Sequence, residues 1–245
     1  MKSSIKSFIN LFLGLFNINI IHSRDNVFDI NCVFKRMRQH AFEFHTLIDI
    51  GAAEGRWALN FNSFFPNLSI LAIEPLVERI PDLKSKFTEY QSKFSIANCI
   101  AGEKDSEFHT LNVTKDLDGS TVDGTDDGEK RFILTRSIDS LVKEYDLKGK
   151  FILKFDTHGF ELPILKGMSN TLADTELIIM ECYNFKISKN AILFYEMCNL
   201  LDELGFRCYD LSNPVLRPSD NALWQLDLVF CKKENKIFQS NNYKN

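Results

Sequence analysis

Four carboxylates stand where apolar runs stop in this chain of 245 residues. Asp49 closes the first run, Glu74 the second and Asp156 a later one, while Glu181 lies near the end of another. In an open parallel sheet, ligands bind beyond the carboxyl ends of the strands, near the point where strand order reverses, so acids placed there face a ligand. The first acid belongs to LIDIGAAEGRW, from Leu47 to Trp57, in which an apolar run feeds a helical pattern through a turn of small residues. Gly51 and Gly55 tolerate positive φ and let the backbone approach a ligand, and the helix start offers unpaired N–H groups. The interval from Gly51 to Glu74 suits a carboxylate that accepts from both hydroxyls of a ribose. A nucleotide-like cofactor is the expected guest; the plainer alternative makes Glu74 a cap on a strand edge.

The turn discriminates between two such cofactors. A dinucleotide fingerprint requires G-x-G-x-x-G, whose second Gly admits the pyrophosphate. Here the turn reads G-A-A-E-G, with Ala53 in that place and Asp49 two residues before the first Gly. An anionic side chain beside the turn suits the α-amino group and sulfonium of S-adenosylmethionine better than a pyrophosphate. The turn leans to methyl transfer and leaves an NAD-type oxidoreductase as the alternative.

The elements that must carry these residues follow from periodicity. A mixed pattern from His22 to His40 predicts a helix with Lys35, Arg36 and Arg38 on its wet face. Then come a strand at Thr46 to Ile50, a helix at Arg56 to Phe65, a strand at Leu68 to Ile73, a helix at Leu76 to Tyr90 and a strand at Phe94 to Ala101. Glu107 to Val113 and Arg131 to Arg136 read as short added strands, and the Asp/Gly-rich stretch between them as a loop covering a ligand. The alternation resumes with a helix from Ile138 to Tyr145, a strand from Lys150 to Asp156 and a helix from Phe160 to Leu172. A strand from Leu177 to Tyr183, a helix from Ala191 to Leu204, and strands at Arg207 to Leu211 and Trp224 to Cys231 complete it. Such alternation implies a mainly parallel sheet covered by helices on both faces.

Composition excludes several classes. A formal net charge of −4 and a pI near 5.8 argue against nucleic acid as a partner, because phosphate binding needs clustered Lys and Arg. Six scattered cysteines without a C-x-x-C pair fit a reduced, cytoplasmic compartment better than a disulfide framework. The greasy run from Phe8 to Ile21 follows Lys2 and Lys6 but is interrupted by Asn10, Asn17 and Asn19. It is also shorter than the roughly 20 residues of a spanning helix, so a docking helix is expected, with a membrane-surface anchor as the competitor. His22, His40, His45 and His109 show no partner pattern and read as structural.

A second stretch, LKFDTHGFELPILKG from Leu153 to Gly167, resembles the hallmark of the FkbM-type S-adenosylmethionine-dependent methyltransferases. LIDIGAAEG, AIEP, NCIAGEKDSEF and SIDSLV precede it in the family's order, and the resemblance covers about His45 to Tyr183. It implies a Rossmann-like class I methyltransferase fold: a mainly parallel seven-stranded sheet with helices on both faces, plus added short strands. A helical segment over residues 1–45, a methyltransferase domain over 46–233 and a polar, frayed tail over 234–245 are the expected organisation. The resemblance further implies that Asp49, Gly51, Ala52 and Gly55 line the methionine part, that Glu74 holds the ribose and that Asn98 and Ala101 lie near adenine.

One departure shifts the expected chemistry. The family often has Val-Glu between the hallmark Asp and Gly, whereas this chain has Thr157 and His158. Methyl transfer to a hydroxyl needs alignment and a proton acceptor, and histidine titrates near neutral pH, so His158 is the candidate base with Asp156 orienting it. Glu161, Tyr183 and Asn184 are candidate acceptor-side residues. The resemblance implies a small-molecule or glycan acceptor. A divalent metal held by Asp156, His158, Glu181 and Asn184 is an alternative that nothing in the spacing supports. A non-catalytic binding module on the same fold is the remaining one.

Overall fold

The computed structural model describes residues 27–88, 93–124 and 128–243. The apolar run at Phe8 to Ile21, and the expected helix end at Tyr90, lie outside the described residues. Among the described residues no helix is long and apolar enough to cross a membrane. In chain order the strands are β1 (Thr46–Ile50), β2 (Ser69–Ile73), β3 (Phe94–Ala97), β4 (Ile100–Ala101), β5 (Phe108–Val113), β6 (Thr121–Val122), β7 (Glu129–Arg136), β8 (Phe151–Phe155), β9 (Thr175–Tyr183), β10 (Phe206–Leu216) and β11 (Leu223–Lys232). The helices are α1 (Ile30–Gln39), α2 (Arg56–Phe64), α3 (Ile80–Lys86), α4 (Ile138–Glu144), α5 (Glu161–Lys166), α6 (Ser169–Ala173) and α7 (Phe194–Glu203).

Seven strands form the main sheet in the order β10, β11, β9, β8, β1, β2, β3. All run parallel except β11, which is antiparallel to both its neighbours. Strand β1 pairs with β2 on one side and β8 on the other, so the chain reverses its direction of travel across the sheet there. That is the switch point beside which open α/β sheets bind ligands. Every residue of β1 and β8 is buried, as expected of a sheet covered on both faces. Alternate side chains enter opposite cores: Ile48, Ile50, Leu153 and Phe155 pack on one face, and Leu47, Ile70, Ile152 and Ile179 on the other.

Several elements depart from the periodic reading, each for a local reason. The run from Phe94 to Ala101 splits, because the Asn98 amide donates to the carbonyls of Glu74 and Pro75 at 2.8 and 3.1 Å and turns the chain out of the main sheet. Strand β4 then joins a second, four-stranded sheet with β7, β5 and β6. The helix expected from Phe160 to Leu172 breaks into α5 and α6, where the Asp139 carboxylate accepts from the backbone N–H groups of Asn170 and Thr171. Arg36 is not on a wet face: it makes two bonds to the Asp210 carboxylate, at 2.6 and 3.0 Å, and ties α1 to β10. The Asp/Gly stretch carries the short strand β6, braced by Asp123, which accepts from Thr110 N–H and lies 2.6 Å from His109 Nδ1. The tail expected to fray forms a turn at Lys236–Phe238 with the Arg207 guanidinium over the Phe238 ring.

Candidate active site

The turn after β1 is folded against two neighbouring strand ends. Gly51 sits at φ +80°, and a Cβ on it would lie 2.0 Å from the Asp156 carbonyl oxygen, so only glycine lets the turn pass the end of β8. Its N–H and that of Ala52 donate to the Ile73 carbonyl, and the N–H of Gly55 to that of Ala52. Ala53, also at positive φ, donates its N–H to Glu74 Oε2, while Leu76 N–H reaches Oε1, both at 2.8 Å. Glu74 thus binds the turn to the end of β2 and keeps further lone pairs on its two oxygens. Burial raises its pKa above the ordinary carboxylate value.

Beside this turn lies a cleft of about 370 Å³. Leu76, Cys99, Ile100, Ala101, Phe160 and Ile164 give it an apolar side, and Glu74 supplies a charged one. A second lobe of about 310 Å³ shares Gly51, Ala53, Arg79, Asp118 and Asp156 with the first and adds Asp49, Ala52, Trp57 and Lys154. Three atoms of residues lining this lobe are buried without a hydrogen-bond partner: Asp49 Oδ2, Trp57 Nε1 and Arg79 Nε. One is an acceptor and two are donors, which is the complement of an α-ammonium and a carboxylate. Burial drives the Asp49 carboxyl up to about 7, against the pull of Lys154.

Asp156, His158, Glu181 and Tyr183 gather along the wall of the larger lobe. His158 Nε2 lies 3.5 Å from Asp156 Oδ1, and its Nδ1 lies 3.3 Å from the Ser120 carbonyl. Tyr183 donates its hydroxyl to Glu181 Oε1. Burial, and then the neighbouring Asp156 charge, push the Glu181 carboxyl up to about 7. One ligand atom from each of Asp156, His158 and Glu181 lies within 4.8 Å of the others, so the three offer a partial donor set for a cation. Leu117, Asp118, Ser120 and Val122 line this space too, and Arg79, which contacts Glu54 at 2.7 Å, also pairs with Asp118.

The structure brings Asp49, Gly51, Ala52, Glu74, Ala101, Asp156, His158 and Tyr183 to the two lobes. Four expected residues stand apart from them. Gly55 faces α3, where a Cβ would meet Phe87 at 2.5 Å and Leu83 at 2.8 Å. Asn98 is spent on the Glu74 and Pro75 carbonyls, and Cys99 and Ile100 line the cleft in its place. Glu161 accepts from the Thr157 hydroxyl and Gly159 N–H and so shapes the turn before α5. Asn184 bonds the carbonyls of Trp224 and Leu223 and does not join Asp156, His158 and Glu181. Sequence reasoning missed Lys154 and Arg79. A lysine inside an otherwise apolar strand was the available signal for the first; only a long-range pairing identifies the second.

A family model described as the methyltransferase FkbM domain matches residues 49–208. No curated protein matches the sequence. Among solved structures, the fold resembles a Burkholderia thailandensis 1,6-didemethyltoxoflavin-N1-methyltransferase bound to S-adenosylhomocysteine, at 13% identity and a TM-score of 0.47 over 82% of this chain and 76% of that one. It also resembles a putative RNA methyltransferase from Pyrococcus horikoshii, at 12% identity and 0.47 over 82% of each chain. An S-adenosylmethionine-dependent methyltransferase from Aquifex aeolicus is similar at 12% identity and 0.43, over 93% of this chain and 96% of that one.

Proposed function

The chain belongs to the methyltransferase FkbM family and is an S-adenosylmethionine-dependent methyltransferase, and on that premise we propose that it methylates a hydroxyl of a small acceptor, a sugar of a glycan or a secondary metabolite. The observation that carries the hydroxyl reading is the placement of His158 Nε2 3.5 Å from Asp156 Oδ1 in the wall of the cleft that Glu74 also lines. S-adenosylmethionine supplies a methyl carbon already activated by its sulfonium. The chain's own residues supply the rest. Asp49 Oδ2 would take the ammonium and Trp57 and Arg79 the carboxylate, which accounts for three otherwise unpartnered buried atoms. Glu74 has lone pairs left for the ribose hydroxyls, and Cys99, Ile100 and Ala101 offer an apolar wall for adenine. His158 takes the hydroxyl proton and Asp156 orients the ring.

The dinucleotide alternative is disfavoured by the turn's own hydrogen bonds. A pyrophosphate binds through free N–H groups at such a turn. Here those of Gly51, Ala52, Ala53 and Gly55 are already engaged, Ala53 by a carboxylate. In calorimetry, S-adenosylhomocysteine is expected to bind and NAD not to compete with it; tighter binding of NAD would overturn the reading. His158→Ala should lower transfer of labelled methyl to a sugar-containing cell extract by about 100-fold, with S-adenosylhomocysteine affinity within a factor of about three of the parent. Turnover at the parent rate would return His158 to a structural role. Label that stays on the acceptor through mild alkali supports an ether, and its release would point to a carboxyl acceptor instead.

A further inference from the structure

A row of charged residues crosses the main sheet at its carboxyl ends. The pairing register sets Asp49 of β1 beside Lys154 of β8, and Glu181 of β9 beside Asp227 of β11. The alternation of each strand sends all four to the same face, since Leu47, Ile152, Ile179 and Val229, two residues before or after them, share one core. Lys154 is the single cation in this row. It is 2% exposed, an environment that a lysine ammonium tolerates only when paired. Its Nζ lies 3.0 Å from Asp227 Oδ1, 3.2 Å from the Phe155 carbonyl and 3.8 Å from Asp156 Oδ2.

Asp227 is itself held by Asn213 Nδ2 at 2.9 Å and the Ser212 hydroxyl at 3.4 Å, so the anchor of the ammonium is fixed from β10. The lysine also lines the lobe that holds Asp49 and Asp156. Resting on the methyltransferase reading above, we infer that Lys154 is a positioning residue, anchored by Asp227, whose ammonium, set beside Asp49 by the sheet register and 3.8 Å from Asp156, balances the carboxylates of the two lobes and so keeps them in place for cofactor and acceptor. No residue of the row other than Lys154 can balance these carboxylates, which otherwise repel one another across adjacent strands. Burial alone would strip the Lys154 proton, yet Asp227, Asp156 and Glu181 together raise its pKa above the ordinary lysine value. The same ammonium opposes the upward push that burial exerts on Asp49 and Glu181.

The experiment is calorimetry of S-adenosylhomocysteine with the full chain from about pH 5.5 to 8.5. Affinity in the parent should rise with pH as Asp49 ionises, with an inflection near the value of about 7 to which burial raises that group. Lys154, Asp156 and Glu74 act most strongly on Asp49, with Arg56 and Arg79 lining the same lobe, and of the first three Lys154 alone favours its ionised form. Lys154→Met should therefore move the inflection up by about one pH unit or more and weaken binding at pH 7 by about tenfold, while Lys154→Arg should return most of both. Lys154→Gln, which keeps a hydrogen-bonding group toward Asp227 without the charge, should move the inflection up in the same way, which preserves the test if the methionine variant does not fold. An unmoved inflection in folded Lys154→Met or Lys154→Gln overturns the inference. Absence of binding at every pH in the parent protein would instead overturn the methyltransferase reading on which it rests.

Discussion

Glu74→Gln is expected to weaken S-adenosylhomocysteine binding about 30-fold, the equivalent of about 2 kcal/mol, because hydrogen bonds to a charged group are each worth about 1.5–3 kcal/mol. Two effects combine at this position. The amide loses one of the two acceptor oxygens proposed for the ribose hydroxyls. Its NH2 must also face the N–H of either Ala53 or Leu76, each of which now donates to the carboxylate at 2.8 Å. The first effect removes a ligand contact and the second loosens the turn. Adenosine separates them, since it carries the ribose and lacks the amino-acid end. A loss of affinity for adenosine comparable to that for S-adenosylhomocysteine, with melting lowered by only a few degrees, assigns Glu74 to the ribose. Unchanged affinity for both ligands removes it from that role.

Glu74 also shows how far the sequence carries. Its position at the end of an apolar run and its interval from Gly51 are local features, and both survive folding. Of the two backbone donors that occupy it, Leu76 is two residues away and Ala53 is 21, and the hydrogen bonding of a turn is invisible to periodicity. Gly55 stands apart from the two lobes for a related reason. Positive φ is common to glycines that admit a ligand and glycines that admit a neighbouring helix, and the packing of Phe87 and Leu83 against it depends on where α3 lies. Asn98 and Asn184 stand at strand ends as expected, yet their amides are consumed by nearby carbonyls, which only coordinates reveal. Conversely, Lys154, Glu181 and Asp227 form one row only once strand order is fixed, because β8, β9 and β11 become neighbours through crossovers of tens of residues.

Gly51→Ala tests the switch point itself and is expected to have a large effect for one added methyl. The residue sits at φ +80°, where an L side chain costs about 1–3 kcal/mol. Its Cβ would also fall 2.0 Å from the Asp156 carbonyl oxygen, a backbone atom that cannot rotate away. Relief requires β1 and β8 to part at their ends, which breaks the bond from Asp156 N–H to the Ile50 carbonyl at 2.9 Å. Gly51 and Asp156 line both lobes, so the same displacement spoils the cofactor and acceptor sides together. A loss of about 3–5 kcal/mol in urea unfolding is expected, with no measurable binding of S-adenosylhomocysteine by the folded fraction. Gly55→Ala is the informative contrast: its φ of +74° is similar, but the obstruction is the Phe87 and Leu83 side chains, outside either lobe. That variant should lose stability and keep its affinity once folded. If instead Gly51→Ala binds as tightly as the parent, the junction of β1 and β8 is not what shapes the cleft.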